Sequence, residues 1–166
     1  MWTASQRSRL ALEEKILSRE LGNFTFCDRA YNTYVRGLQT TSSGTLYELQ
    51  LTFPAYYPDR RPNLYVTYPK PLWRYPSCET LDSLGISHAF HTLGKGPDGS
   101  LEICHFNAAD WDASKTCVAV LMKGIIWCDL YDAHLATGKD IAYFLSNPSE
   151  VHHWFQSKTL SSRQFY

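Results

Sequence analysis

The 166-residue chain has no excess of either charge, because 16 Lys and Arg residues balance 16 Asp and Glu residues. No overall positive field draws it to nucleic acid or to anionic lipid, so we expect neither as a direct partner. Long apolar runs are also missing. Lys123 and Asp129 interrupt the longest ones, well short of the roughly 20 residues that a membrane span needs.

Cysteine occurs five times, and its spacing is not that of a disulfide framework. The cysteine count is odd, no Cys-x-x-Cys pair occurs, and no signal-peptide pattern opens the sequence. We therefore expect a soluble, cytoplasmic protein with reduced thiols. The length favours a single domain over residues 1–166, large enough to bury a core without disulfides or metal. The five cysteines are Cys27, Cys78, Cys104, Cys117 and Cys128.

The first half of the chain predicts a helix followed by an antiparallel meander. Thr3 and Gln6 form a capping-box pattern, and apolar residues recur near helical spacing over residues 3–21. Residues 45–53 alternate between apolar and polar side chains, as a half-buried strand does. With β-rich segments around it, this pattern predicts an α+β protein with four strands, over residues 23–28, 31–40, 45–53 and 63–68.

The second half begins with a long segment that has no periodicity. Glycines and prolines interrupt residues 69–103, and so long an irregular stretch in a compact domain usually carries a functional site. A largely buried helix is predicted over residues 113–136, with Gly138 as its stop. Shorter helices are predicted over residues 139–146 and 149–158.

Cys104 is a candidate nucleophile because it sits where the irregular segment returns to the domain. Cysteine reacts as the thiolate, which requires access to the sulfur. Cys27, Cys117 and Cys128 lie in apolar strand or helix contexts, where cysteine is usually a small core residue. Cys78 lies in a polar loop and stays open as an alternative.

The order of these features resembles that of ubiquitin-conjugating enzymes. A helix, a four-stranded meander, a proline-rich bend, an irregular loop, a cysteine, a tryptophan and a helix follow one another over about residues 3–136. The resemblance implies the ubiquitin-conjugating fold, thioester formation at the cysteine and no cofactor. The matching motifs are Phe53-Pro54, Tyr57-Pro58, Arg61-Pro62, Gly99-Ser100 with Ile103-Cys104, and Trp111.

The sequence departs from the family's pattern at the active-site loop. Where the family has His-Pro-Asn, this chain has His91 followed by Thr and Leu. That asparagine is the family's proposed stabiliser of the oxyanion, and loss of one such donor costs on the order of a hundredfold or more in rate. Asn107 is a candidate substitute. His91 and His105, the latter directly after Cys104, are candidates to orient or deprotonate a reactant.

The C-terminal half, from Trp127 through Gly138, resembles a divergent bacterial branch of the family. Members of this branch occur in anti-phage operons, including the cyclic-oligonucleotide signalling systems called CBASS. The resemblance implies that the C-terminus of a cGAS-like nucleotidyltransferase is the acyl group carried on Cys104. A bacterial ubiquitin-like protein is the alternative partner.

Three other interpretations of the same residues stay open. His88, His91, Cys104 and His105 are four possible zinc ligands, although their spacing is not that of a standard zinc finger. His134 and Asn147 formally complete a Cys–His–Asn set of the cysteine-protease kind. A non-catalytic module that only binds a ubiquitin-like protein or a cyclase is the third.

Overall fold

The computed structural model describes residues 2–151 and residue 154. It has an α+β architecture, with one helix before an antiparallel sheet and further helices after it. The helices are α1 (Ala4–Glu20), α2 (Cys117–Thr137) and α3 (Ile141–Ser146). The strands are β1 (Phe24–Cys27), β2 (Tyr34–Thr40), β3 (Leu46–Thr52), β4 (Asn63–Tyr68), β5 (Ile86–Ser87), β6 (Thr92–Lys95) and β7 (Leu101–Ile103).

Helix α1 begins at the predicted capping box. The Gln6 amide donates to the Thr3 hydroxyl at 3.2 Å, and the Thr3 amide donates to the Gln6 side chain at 3.0 Å. Two amides that would otherwise lack a partner in the first turn are thereby satisfied. Leu10 and Leu17 are buried on the inner face of the helix, as the apolar spacing predicted.

Within the described residues, the sheet has seven strands, where the sequence predicted four. Strands β1 to β4 form the predicted meander, and every pairing in the sheet is antiparallel. Strands β7, β6 and β5 then continue the sheet beyond β4, in the segment predicted to be irregular. They escape pattern recognition because each has only two to four residues. Gly94, with φ 100°, further breaks the alternation in β6.

Helix α2 crosses the sheet and carries one wall of the site described below. It begins at the cap Thr116, later than predicted, because Asp112 binds the Ser114 amide (2.8 Å) in a preceding turn. It ends at Gly138, as predicted, with φ 76°. A Cβ at Gly124 would lie 2.7 Å from a Leu64 methyl carbon, so glycine permits the close approach of α2 to β4.

A buried carboxylate joins α1 to the first turn of α2. Glu13 is fully buried, and its Oε2 accepts the Cys117 amide at 2.8 Å. Its Oε1 accepts the Tyr57 hydroxyl at 2.5 Å and pairs with Arg9 at 2.6 Å. A negative charge at a helix N-terminus is stabilised by the free amides of that turn. Glu13 therefore fixes where α2 starts.

A second buried carboxylate fixes the other half of α2. Asp132 accepts hydrogen bonds from the Tyr47 hydroxyl (2.5 Å) and from the hydroxyls of Thr41 and Ser43. These donors belong to the turn between β2 and β3 and to β3 itself. Helix α2 is thus attached at both ends, which holds its side chains in a fixed position over the sheet.

The chain after α2 folds back as short helices. Helix α3 matches the first predicted C-terminal helix, and residues 148–151 are helical where the second was predicted. Most of the second predicted helix lies outside the described residues. None of the helices in the described part of the chain combines the length and the apolar character that crossing a bilayer requires.

Candidate active site

Pairing of β6 with β7 brings Cys104 beside His91. Cys104 directly follows β7, His91 directly precedes β6, and Thr92 pairs with Ile103. The Cys104 amide donates to the His91 carbonyl oxygen at 2.7 Å. His91 adopts φ 50°, a left-handed backbone conformation that is uncommon for a residue other than glycine. The two residues therefore share one short junction of the sheet.

Cys104 is half-buried in the wall of a cavity of about 330 Å³. Helices α2 and α3 provide much of the opposite wall, which is mostly apolar. The described residues that line this cavity, called here the Cys104 cavity, are His91, Cys104, His105, Lys123, Ile126, Trp127, Leu130, Ile141 and Leu145.

The other cysteines differ from Cys104 in their surroundings. Cys117 and Cys128 are buried, and burial raises the pKa of both thiols well above its ordinary value. Cys78 is exposed in a loop, and Cys27 is half-buried at the end of β1. Among the cysteines, all of which the structure describes, Cys104 alone lines this cavity.

Lys123, which sequence patterns did not single out, brings a cation to the Cys104 cavity. It projects from α2, and its Nζ lies 4.2 Å from the centroid of the Phe106 ring. An ammonium over an aromatic face is attracted to the electrons of the ring. No motif marks Lys123, because only the crossing of α2 over the sheet brings it to the loop that carries Cys104.

His105 lies in the cavity wall as a neutral ring. It is 7% exposed, and its Nε2 lies 2.8 Å from the Pro62 carbonyl oxygen. A carbonyl only accepts, so Nε2 carries the proton and Nδ1 keeps a lone pair. Burial, together with the charges of Arg61 and Lys123, lowers the pKa of His105 to about 4. At neutral pH it is therefore not a cation that would stabilise a thiolate.

The remaining nitrogen of His105 lacks a hydrogen-bond partner. Among the buried side-chain nitrogen and oxygen atoms of the described residues, Nδ1 of His105 is the one without a hydrogen-bond partner. A buried polar atom without a partner costs about 1–3 kcal/mol, and such atoms are rare in folded proteins. The atom is an acceptor, so the group that would satisfy it is a donor.

His91 also lines the cavity as a half-buried residue. Burial lowers its pKa below the ordinary value, and the charges of His88 and Lys123 act in the same direction. A neutral imidazole beside Cys104 is able to accept a proton. The structure therefore brings three of the candidate residues, Cys104, His91 and His105, to one cavity.

Asn107 is not brought to this cavity. It is exposed and precedes a short 3₁₀ turn over Ala108–Asp110, where its Nδ2 donates to the Asp110 carboxylate at 3.1 Å. It lies outside the set of described residues that line the cavity. The predicted oxyanion role for Asn107 is therefore not supported by its position. Asn107 is close to Cys104 in sequence, but its side chain bonds to Asp110 and does not line the cavity.

The proline-rich bend and Trp111 support the loop after Cys104. Trp111 donates its Nε1 proton to the Pro58 carbonyl oxygen at 2.7 Å, and its ring centroid lies 6.5 Å from that of His105. Arg61 donates to the Phe106 carbonyl oxygen at 2.7 Å. The bend thus contacts His105, Phe106 and Trp111 and holds the loop in place.

The zinc and protease alternatives gain no support from the geometry. Within residues 2–151 and at 154, no group of three or more His, Cys, Asp or Glu residues is arranged to hold a metal ion. His134 accepts the Tyr75 amide at Nε2 (2.9 Å), and its Nδ1 donates to the Lys139 carbonyl oxygen (2.8 Å). With both nitrogens engaged by the backbone, His134 has none available for Cys104.

The chain shows no match to any protein-family model or to any curated protein sequence with which it was compared.

Proposed function

We propose that the protein is a transferase with a ubiquitin-conjugating fold that carries an acyl group as a thioester on Cys104. One observation carries this proposal: Cys104 is a half-buried cysteine in the wall of a mostly apolar cavity, beside a cation and two neutral histidines. Such a site offers a nucleophile, a counter-charge and proton acceptors within one space.

The fold proposal rests on element order. The elements follow one another in the order typical of that family: a capped first helix, an antiparallel meander, a proline-rich bend, a loop ending in the cysteine, and a long crossing helix. Strands β5 to β7 are an elaboration of the sheet in this chain. They determine where Cys104 lies, because Cys104 directly follows β7.

The reaction has two acyl-transfer steps. The donor arrives activated, as an acyl adenylate or as a thioester on another carrier, because a free carboxylate does not condense with a thiol without an energy source. The Cys104 sulfur attacks the acyl carbon, the bond to the leaving group breaks, and the thiol proton passes to a base or to the departing group. An acceptor amine then attacks the thioester, loses a proton and releases the Cys104 thiol.

Lys123 takes the role that asparagine has in the family. Each step passes through a tetrahedral intermediate with a negatively charged oxygen, which a nearby positive charge stabilises. Lys123 lines the same cavity as Cys104, and its Nζ lies over the Phe106 ring, 4.2 Å from the ring centroid. His91, neutral and beside Cys104, serves as the proton acceptor.

The favoured donor is the C-terminus of a cGAS-like nucleotidyltransferase in CBASS anti-phage defence, and a bacterial ubiquitin-like protein is the alternative. This assignment rests on the sequence resemblance of the C-terminal half. The identity of the donor can be tested separately from the thioester chemistry, since the Cys104 cavity would accept the C-terminus of either protein.

The test combines the protein with each candidate donor and its activating system, followed by a non-reducing gel. The wild type should form an adduct that thiols remove, Cys104→Ala should form none, and Cys104→Ser should form a thiol-resistant ester. Cys78→Ala is the matched control, because Cys78 is exposed outside the cavity. An adduct that survives Cys104→Ala contradicts the assignment. Absence of any adduct favours the alternative that the protein is a non-catalytic module that only binds its partner.

A further inference from the structure

An aromatic ring, and no carboxylate among the described residues, contacts the ammonium of Lys123. Its Nζ lies 4.2 Å from the centroid of the Phe106 ring and forms no hydrogen bond or ion pair with any residue that the structure describes. Lys123 is an exposed residue of α2, and a lysine side chain in water is a flexible four-carbon stem that samples many positions. The ring is therefore the contact that restricts where this charge lies.

Phe106 is itself held in place by its neighbours. Arg61 donates to its carbonyl oxygen at 2.7 Å. Its ring centroid lies 5.9 Å from that of Trp111 and 5.7 Å from that of His105, with interplanar angles of 64° and 77°. Aromatic rings favour edge-to-face arrangements of this kind. Trp111 is anchored in turn by its hydrogen bond to the Pro58 carbonyl oxygen. The Phe106 ring thus has a fixed position against which an ammonium can rest.

The contact joins the loop after Cys104 to helix α2. Phe106 follows Cys104 by two residues and lies outside the cavity lining formed by the described residues, whereas Lys123 is part of that lining. The ammonium of Lys115 also lies near the ring, 5.8 Å from its centroid, but it pairs with Asp112 and lies outside the lining as well. Of the two lysines near the ring, Lys123 is therefore the one that brings its charge to Cys104.

We propose that Phe106 is a positioning residue for the thioester reaction: the face of its ring holds the Lys123 ammonium where the oxyanion forms on the acyl group of Cys104. The inference rests on the proposed function. Phe106 touches neither the acyl group nor the acceptor and acts only through Lys123. The attraction comes from the negative potential of the ring face, so it falls when electron-withdrawing atoms are placed on the ring edge.

Fluorinated phenylalanines at position 106 test this. Phenylalanine and its 4-fluoro, 3,5-difluoro and 3,4,5-trifluoro derivatives have nearly the same shape, while each fluorine withdraws electrons from the ring face. Cys104 is first charged with the 2-mercaptoethanesulfonate thioester of N-acetylglycine, which exchanges one thioester for another and needs no energy source. Glycinamide is then added: its nitrogen bonds to the acyl carbon, the carbon–sulfur bond breaks, and the amine proton passes to the Cys104 sulfur. Intact mass follows this single turnover.

We expect the discharge rate to fall with each fluorine, by about two- to fivefold over the whole series. This range is the strength of an exposed cation–π contact, about 0.5–1 kcal/mol, converted at about 1.4 kcal/mol per factor of ten. With Lys123→Gln, all four proteins should discharge at one rate, because the ring has no ammonium to hold at the cavity. Lys115→Gln is the matched control, since it removes the other ammonium near the same ring, and it should keep the fluorine dependence.

The outcomes separate the two proposals. A discharge rate that is equal across the fluorine series, or a fluorine dependence that persists with Lys123→Gln, overturns the positioning role and leaves the thioester function intact. A dependence that disappears with Lys115→Gln overturns the assignment to Lys123. Failure of Cys104 to take up the acyl group, in protein with a normal thermal transition, overturns the thioester function and with it the reaction that Phe106 would serve.

Discussion

Protonation of His105 should make the protein lose stability as the pH falls below about 6.5. The folded ring is buried and neutral, with its Nε2 proton on the Pro62 carbonyl oxygen. Its pKa is about 4 in the folded protein, against an ordinary 6.5. The unfolded chain therefore binds the proton first, and each step down in pH favours unfolding.

The size of this effect follows from the two pKa values. One pKa unit corresponds to about 1.4 kcal/mol, so the change from 6.5 to about 4 corresponds to about 3 kcal/mol in all. This stability is present above pH 6.5 and is lost as the pH falls through 4. By pH 5 about 2 kcal/mol of it should already be gone, because the unfolded histidine is then almost fully protonated.

The assay is urea unfolding of the wild type and of His105→Gln between pH 7.5 and pH 5. Glutamine keeps an N–H donor for Pro62 but does not titrate, so the difference between the two proteins isolates this ring from other groups. His88→Gln, at an exposed position, is the control and should follow the wild type. Parallel stability curves for the wild type and His105→Gln would refute the reasoning.

Three other predictions address charge, packing and thiol access. Lys123→Gln should slow discharge of the thioester about a hundredfold. Lys95→Gln, which removes an equal charge from an exposed site outside the cavity lining, should not, and single-turnover rates decide this. Glu13→Ala should lower the free energy of unfolding by about 2–5 kcal/mol in denaturant titrations, because it leaves the buried Tyr57 hydroxyl and Cys117 amide without their acceptor. In native protein, maleimide should label Cys104 but spare Cys117, and equal labelling would contradict the assigned burial.

Local features of the sequence predicted local features of the fold. The capping box at Thr3 and Gln6 marks the start of α1, and Gly138 marks the end of α2. The alternation in residues 45–53 identifies β3. Each of these signals depends on neighbours within a few positions, so a single sequence contains all of the information that they need.

Features that depend on distant contacts were not predictable in the same way. Strands β5 to β7 are too short for a periodic pattern and exist because they pair onto the edge of β4. Lys123 reaches the Cys104 cavity only because Glu13 and Asp132 fix α2 across the sheet. Asn107 is a near neighbour of Cys104 in sequence, yet a local turn directs it to Asp110.

The location of the acyl group is the most direct test of the account. After reaction with an activated donor, the protein is digested at mildly acidic pH, where thioesters persist, and the peptide that contains Cys104 is sequenced by mass spectrometry. The account predicts the added acyl mass on Cys104 and its complete removal by hydroxylamine. Acyl mass on another residue, or on Cys104 in a form that hydroxylamine does not remove, would contradict it.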